Sequence, residues 1–466
     1  MLPALIALLG AALEATALAW SGTPGPHVHL RSIAVDSVGT GDGATALRQR
    51  IVEQLRKHPG LRLAASDAQA DLTLRGNSSI WPTGSYSISA HSNSYRVTNY
   101  EGYLSVELQD KAGQTLWSYL VTPSRFRTHS IADDLAGQAV SRLLDALHGI
   151  EEGAAPATLS GAAAGAQLHA AGSTLAAPLY RKWFESAGMH VTYEANGSEA
   201  GLAQLTEGKV DFAASDMPPP ADMQATAIPT VVGGVVPIYN VPEAHGELRF
   251  TRDVLAGIYS GAITKWNDSR IRAINQGAHL PNAPIEVVHR SDGSGTTFVW
   301  TSYLSQASSE WKAGAGARLT WPAGVSAVGN DGLAEMVKKT PNSIGYVELI
   351  FAIQHQLNYG EVQNGAGQFV KADLSSISSA AADAAREDAH AGLAILNSQK
   401  RDAYPISTFT WLVVPSQGLD AQRKNAIAEL LKWMLTSGQK QCASLGYVPL
   451  PAAVATKALS AASGIK

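Results

Sequence analysis

The stretch Glu151–Gln167 reads EEGAAPATLSGAAAGAQ and holds only Ala, Gly, Ser, Thr, Pro, Glu, Gln and Leu. Nothing in it can anchor a hydrophobic core. Residues 151–166 therefore read as a linker that divides the chain into two separately folding blocks. At 466 residues the chain exceeds one ordinary domain in any case. Hydrophobic residues make up 45% and charged residues 16%, so the chain can bury large cores and is not disordered overall. Lys and Arg number 35 against 39 Asp and Glu, a net charge of −4, which excludes a basic nucleic-acid footprint at whole-chain level. The single cysteine, Cys442, excludes an intramolecular disulfide and cysteine-rich zinc or iron–sulfur sites. No cofactor and no metal are expected.

Met1–Leu13 is apolar or small without interruption, and Ala17-Leu18-Ala19 follows as a small-x-small cleavage pattern. Residues 1–19 read as a secretory signal peptide cut before Trp20, although no Lys or Arg precedes Arg31. The run is shorter than the ~20 residues of a membrane span, and no cysteine follows it to carry a lipid. An exported chain without disulfides fits the periplasm. His27 and His29 fall on one face of a strand, an exposed pair with no third metal ligand evident.

Residues 20–150 alternate strand and helix signals. Val28–Asp36 is strand-like, and Asp42 caps a helix over Ala44–Lys57 with Leu47, Ile51 and Leu55 on one face. Leu61–Arg75 predicts one or two strands. Tyr86–His91 and Tyr95–Tyr100 predict a Ser- and Tyr-rich hairpin, and Gly102–Leu108 and Gln114–Val121 pair around an Asp110–Gly113 turn. Ser130 and Asp133 open a helix carrying Leu135, Ala139, Leu143 and Leu147. The block is a small α+β domain, β-α-β(4–5)-α, and no motif in it assigns a function.

Residues 167–466 read as α/β. Short strands at Val210–Ala213, Val231–Tyr239, Ile285–His289, Ile344–Val347 and Ser407–Val414 alternate with helices, including one over Ala421–Thr436 and another across the Ala- and Ser-rich Leu374–Leu396. Three segments share one design, a strand, a Gly/Ser turn and a helix: Ala171–Pro178 (AGSTLAAP), Asn196–Gly201 (NGSEAG) and Arg290–Thr297 (RSDGSGTT). Each offers free N–H groups and a hydroxyl at a helix N-terminus, where the helix dipole favours an anion. Capping alone would explain any one of them; three in one domain, one led by an arginine, point to anion binding. Asp216, at a strand exit, supplies the opposite charge and can accept a proton from a ligand.

From about Gln167 to Pro451 the chain resembles the periplasmic phosphate-binding proteins of bacterial phosphate ABC transporters. The stretches GSTLAAPLYRKW, DFAASD, PTVVGGVVPIYNVP, IYSGAITKWND, HRSDGSGTTFVWTSYL, GNDGLAEMVKK and IGYVEL carry the resemblance in order and spacing. It implies a type II periplasmic binding fold, α/β with two lobes and two hinge crossings, preceded by the small α+β domain. The crossings would lie near Tyr239–Pro242 and Tyr404–Ser407, giving lobe one as 167–240 with 407–466 and lobe two as 243–403. It further implies one inorganic phosphate in the cleft and a membrane permease as partner. By the same resemblance, Thr174 and the Leu175 backbone would cap the anion, Ser198 would donate, and Asp216 would accept the phosphate proton. Arg290 would pair with phosphate oxygens, oriented by Asp292, and Ser294, Gly295 and Thr296 would supply hydroxyl and backbone donors. Two departures stand out. Leu175 replaces an aromatic residue, and Glu199-Ala200 replaces a small Ser-Gly pair; a carboxylate there repels a dianion unless it points away.

Phosphate carries a proton at neutral pH and sulfate does not, so a fixed carboxylate discriminates between them by roughly 10⁴–10⁵. Two other readings compete. A phosphoesterase would use Asp216 or Ser294, but neither glycine-flanked serine fits the G-x-S-x-G elbow and Thr296 stands where a nucleotide-phosphate loop needs Lys. An envelope sensor or interaction protein would dock a partner through the aromatic Trp81–Tyr103 stretch.

Overall fold

The computed structural model describes residues 32–40, 42–90, 93–124, 130–147, 158–159, 165–244, 246–385 and 394–465. The expected signal peptide, the His27–His29 pair and most of the 151–166 stretch lie outside these residues.

The N-terminal block folds around one five-stranded sheet. Its spatial order is Arg62–Leu63, Ser32–Val35, Leu72–Ala90, Asn93–Asp110, Thr115–Val121, with parallel pairing among the first three and antiparallel pairing among the last three. The helices Asp42–Leu55 and Ile131–Leu147 bring Leu47, Ile51, Leu55, Leu135 and Leu143 against Ile33, Leu72, Leu104, Val106 and Leu108. Two strands begin within Leu61–Arg75, and the expected pairing of the Tyr86 and Tyr95 segments is the far end of two strands longer than expected, paired from Leu72↔Asp110 to Ala90↔Asn93. The pairing runs through Pro82 and Gly84. It absorbs them in a register shift between those two residues, which a proline at a bulge permits.

The second block is built on a ten-stranded sheet whose two halves are the two lobes. The long strands Ala225–Asn240 and Ile406–Pro415 join them. Over Ala225–Gly234 the first pairs with Ile406–Pro415; from Val235 to Asn240 it pairs with Ser343–Glu348. The change of partner therefore falls at Gly234/Val235, ahead of the expected crossing at Tyr239–Pro242. On lobe one, Gln167–Gly172 lies between Phe212–Ser215 and His190–Glu194; on lobe two, Glu286–Arg290 lies between Ser343–Glu348 and Val325–Ala327. The helix expected across Leu374–Leu396 ends at Ala384, and Ala394–Leu396 is a strand paired with Ile406–Thr408. Alanine favours helix and is poor in strands, so the strand at Ala394–Leu396 is set by tertiary pairing against that local preference.

Candidate anion-binding site

Four helices begin at the junction of the lobes: Ala177–Ser186, Ser198–Thr206, Gly295–Ala307 and Gly329–Lys339. The first N–H groups of any helix have no partner within it, and the loops preceding these four are shaped to present them. Ser173 Oγ accepts from the N–H of Leu175 (3.0 Å) and of Ala176 (3.3 Å), curling the first loop. Gly197 enters the second helix at φ +100, and a β-carbon on it would sit 2.7 Å from the Gly293 carbonyl of the other lobe. Ser294 caps the third helix, its Oγ accepting from Thr297 N–H at 3.1 Å, while its own N–H donates to the Ala317 carbonyl.

Arg290 leaves the end of its strand fully buried. Its Nε donates to Asp292 Oδ1 at 2.7 Å and its Nη2 bonds Asp292 Oδ2, which locks the planar group in a two-point grip. Burial works to raise the Asp292 carboxyl, but the Arg290 hydrogen bond and charge outweigh it and hold it below the usual carboxylate range. Gly329 N–H also donates to Asp292 Oδ1 at 3.2 Å. Arg290 Nη1 is buried with no hydrogen-bond partner among the described residues. A desolvated, unsatisfied cationic donor is costly and marks a place built for an incoming acceptor.

Asp216 is buried on the opposite lobe. Ser173 Oγ bridges its two carboxyl oxygens (2.8 and 2.7 Å), Thr410 Oγ1 donates to Oδ1 at 2.6 Å, and Ser198 Oγ reaches Oδ2 at 3.4 Å. Burial pushes its carboxyl up to about 6, partly opposed by the Thr410 and Ser173 hydroxyls, by the Arg290 charge and by Ser198. A carboxylate has about four lone-pair sites, and three hydroxyl protons leave capacity for one more donor. The site thus holds an arginine with a spare donor and a carboxylate with a spare acceptor.

The structure brings Thr174, Ser198, Asp216, Arg290, Asp292, Gly295 and Thr296 together. Gly295 abuts lobe one so closely that a β-carbon would fall 2.2 Å from Ser198 Oγ and 2.7 Å from Asp216 Oδ2. Leu175 has its side chain in the core; its N–H serves Ser173 and its carbonyl accepts from Tyr447 OH at 2.6 Å. Glu199 crosses the lobe junction, lying against Gly293 and pairing with Arg318 of lobe two at 3.2 Å, and Arg318 also donates to the Ser291 carbonyl at 2.9 Å. Sequence reasoning missed three residues. Ser173 and Thr410 hold Asp216, and the buried Asn330 donates across the cleft to Thr174 Oγ1 (2.9 Å) and within lobe two to Thr296 Oγ1 (3.1 Å). Asn330 stands in the GNDGLAEMVKK stretch, at the start of the helix Gly329–Lys339.

A family model for the PBP superfamily domain matches residues 157–437. The phosphate-binding protein PstS of Xylella fastidiosa strain Temecula1 is 40% identical over 297 residues, 61% of this chain and 82% of the relative. That of Pasteurella multocida strain Pm70 is 40% identical over 299 residues, 62% and 87% respectively. The chain belongs to the PstS phosphate-binding protein family. The crystal structure of the ancestral soluble variant of the Human Phosphate Binding Protein superposes with a TM-score of 0.51 at 20% identity, over 63% of this chain and 93% of that one. The PstS part has the type II periplasmic binding fold. Among the described residues no helix is long and apolar enough to cross a membrane, and no group of three or more His, Cys, Asp or Glu could hold a metal ion.

Proposed function

We propose that the protein binds inorganic phosphate between its lobes in the periplasm and delivers it to the permease of a phosphate ABC transporter. The unpartnered, buried Arg290 Nη1 facing a lobe that carries Asp216 is the observation that carries this reading. Arg290 supplies charge-assisted donors aimed by Asp292. Thr174 and Thr296 supply hydroxyls, and Gly295 and the first turns of the helices supply backbone donors and the dipole; the Leu175 and Ser294 N–H groups expected to do so serve Ser173 Oγ and the Ala317 carbonyl instead, and the Ser198 hydroxyl serves Asp216. Asp216 accepts the proton of hydrogen phosphate, and a fully ionised sulfate would meet it with repulsion instead. A ligand that touches both lobes only when they meet shifts the protein towards closure.

Ser173 and Ser198 both hydrogen-bond Asp216, so their hydroxyls serve to hold the carboxylate that takes the ligand proton. Transport binding, not phosphoester cleavage, is the reading this arrangement supports. Native mass spectrometry and calorimetry test it. The purified protein should carry or take up one phosphate, and a large excess of sulfate should not displace it. Effective sulfate competition would refute Asp216 as the discriminating acceptor.

A further inference from the structure

The N-terminal domain has no counterpart in the PstS resemblance, and its contacts fall on both lobes. Along the strand Asn93–Asp110, Gly102, Leu104, Val106 and Leu108 point into the domain's own core or are buried, while Glu101, Tyr103, Ser105 and Glu107 alternate onto the other face. That second face meets the binding domain. At one end Glu107 pairs with Lys182 of lobe one and accepts from Ser444 Oγ at 2.7 Å. Ser105 Oγ donates to the Ser444 carbonyl at 2.8 Å, and the neighbouring strand adds Ser118 Oγ to the Lys440 carbonyl at 2.7 Å.

Six residues away, about 20 Å along an extended strand, the contacts change lobe. Trp81 and Glu101 close a small cavity with Glu247, Ile353, Tyr359 and Lys371, all of lobe two, and with Tyr239 of the crossing strand. Gln356 Nε2 donates to Ser79 Oγ at 3.2 Å. Lys371 pairs with Glu247 and sits 4.8 Å over the Tyr359 ring. Burial works to lower its ammonium, and Tyr359, Glu247 and Glu101 more than offset that.

We propose that this strand is a brace across the hinge: Glu107 ties it to lobe one, Glu101 and Ser79 tie the hairpin to lobe two, and these positioning residues thereby slow the separation of the lobes and the release of phosphate. Its backbone is stiffened by pairing on both sides over Leu104–Gln109 and by the hairpin beyond. Rotation of one lobe against the other must therefore break one set of ties. The two sets act in series, so cutting either frees the hinge and cutting both adds nothing.

The inference on release rests on the phosphate reading; the inference on the hinge does not. The test uses the full chain with Glu101→Gln/Ser79→Ala, with Glu107→Gln/Ser118→Ala, and with all four together. Release of radiolabelled phosphate into excess unlabelled phosphate should quicken about fivefold or more in each double variant. Association should stay within about twofold, and the quadruple variant should be no faster than the faster double. Unchanged release, or effects that multiply, would overturn the brace. Amide hydrogen exchange at Gly233–Val235, without ligand, supplies the second measurement. Faster exchange in the variants supports the brace, and unchanged exchange overturns it whether or not phosphate binds. Failure of the wild type to bind phosphate would sink the functional reading alone.

Discussion

Replacing Asp216 by asparagine should stabilise the phosphate-free protein and spoil its selectivity. Burial holds the native carboxyl at about 6 against 3.8 for an ordinary aspartate. The difference corresponds to about 3 kcal/mol. Because the folded-state value is raised, this destabilisation is absent below about pH 4, grows as the pH rises through 4 to 6, and is complete above. At pH 5 about half of it is present by the same relation. Asparagine carries no charge to desolvate, but its NH₂ replaces an acceptor that Ser173, Thr410 and Ser198 now address. Those hydroxyls can turn and accept instead, at a cost of about 1 kcal/mol for the poorer bonds. The net gain should be about 1–2 kcal/mol at pH 8, a rise of a few degrees in the melting midpoint, and should shrink or vanish towards pH 5. Calorimetric melting of both proteins, stripped of phosphate, at the two pH values is the assay. A variant less stable than wild type at pH 8, or a difference that ignores pH, would refute the account. With ligand, the same variant should bind phosphate more weakly and let sulfate compete.

Arg290→Ala should weaken phosphate binding by more than about 100-fold with an unchanged circular dichroism spectrum, since a charged, desolvated partner is lost; calorimetry showing near-native affinity would exclude the site. Asn330→Ala removes the donor that joins Thr174 to Thr296, and at about 1 kcal/mol per bond should cost roughly 10–100-fold in affinity, visible in titration calorimetry. Glu199→Ser should change affinity less than about fivefold and introduce no new pH dependence, because the Arg318 pair is half-exposed and such pairs contribute at most about 1 kcal/mol; a steep alkaline loss of affinity in wild type, abolished by this change, would place Glu199 in the cleft instead.

The anion loops were legible because each is contiguous: a Gly/Ser turn between a strand and a helix announces its backbone geometry within eight residues. Residues that act through tertiary contact were not. Thr410 lies in a strand of nine consecutive hydrophobic and hydroxyl residues, and nothing local says that its side chain meets a carboxylate 194 positions earlier. Ser173 was read only as part of a turn, yet it both shapes the loop and grips Asp216. The orientation of Glu199 depended on Arg318, 119 residues away. In the first domain, the pairing that carries the long hairpin through Pro82 and Gly84 is a cross-strand property that neither segment announces alone. The two-lobe plan came from the family resemblance, but the point where the crossing strand changes partner is set by sheet register, which hydrophobic pattern alone does not encode.

The Gly295 contact has a consequence of its own. A single methyl there would stand about 1 Å inside the distance at which atoms from the two lobes can rest. The closed form is therefore dimensioned by a missing atom, and alanine would act as a doorstop that wedges the jaws ajar while leaving every ligand-binding side chain in place. Such a protein would separate two events that the native chain fuses, the meeting of anion with donors and the change of outline that a membrane partner can read.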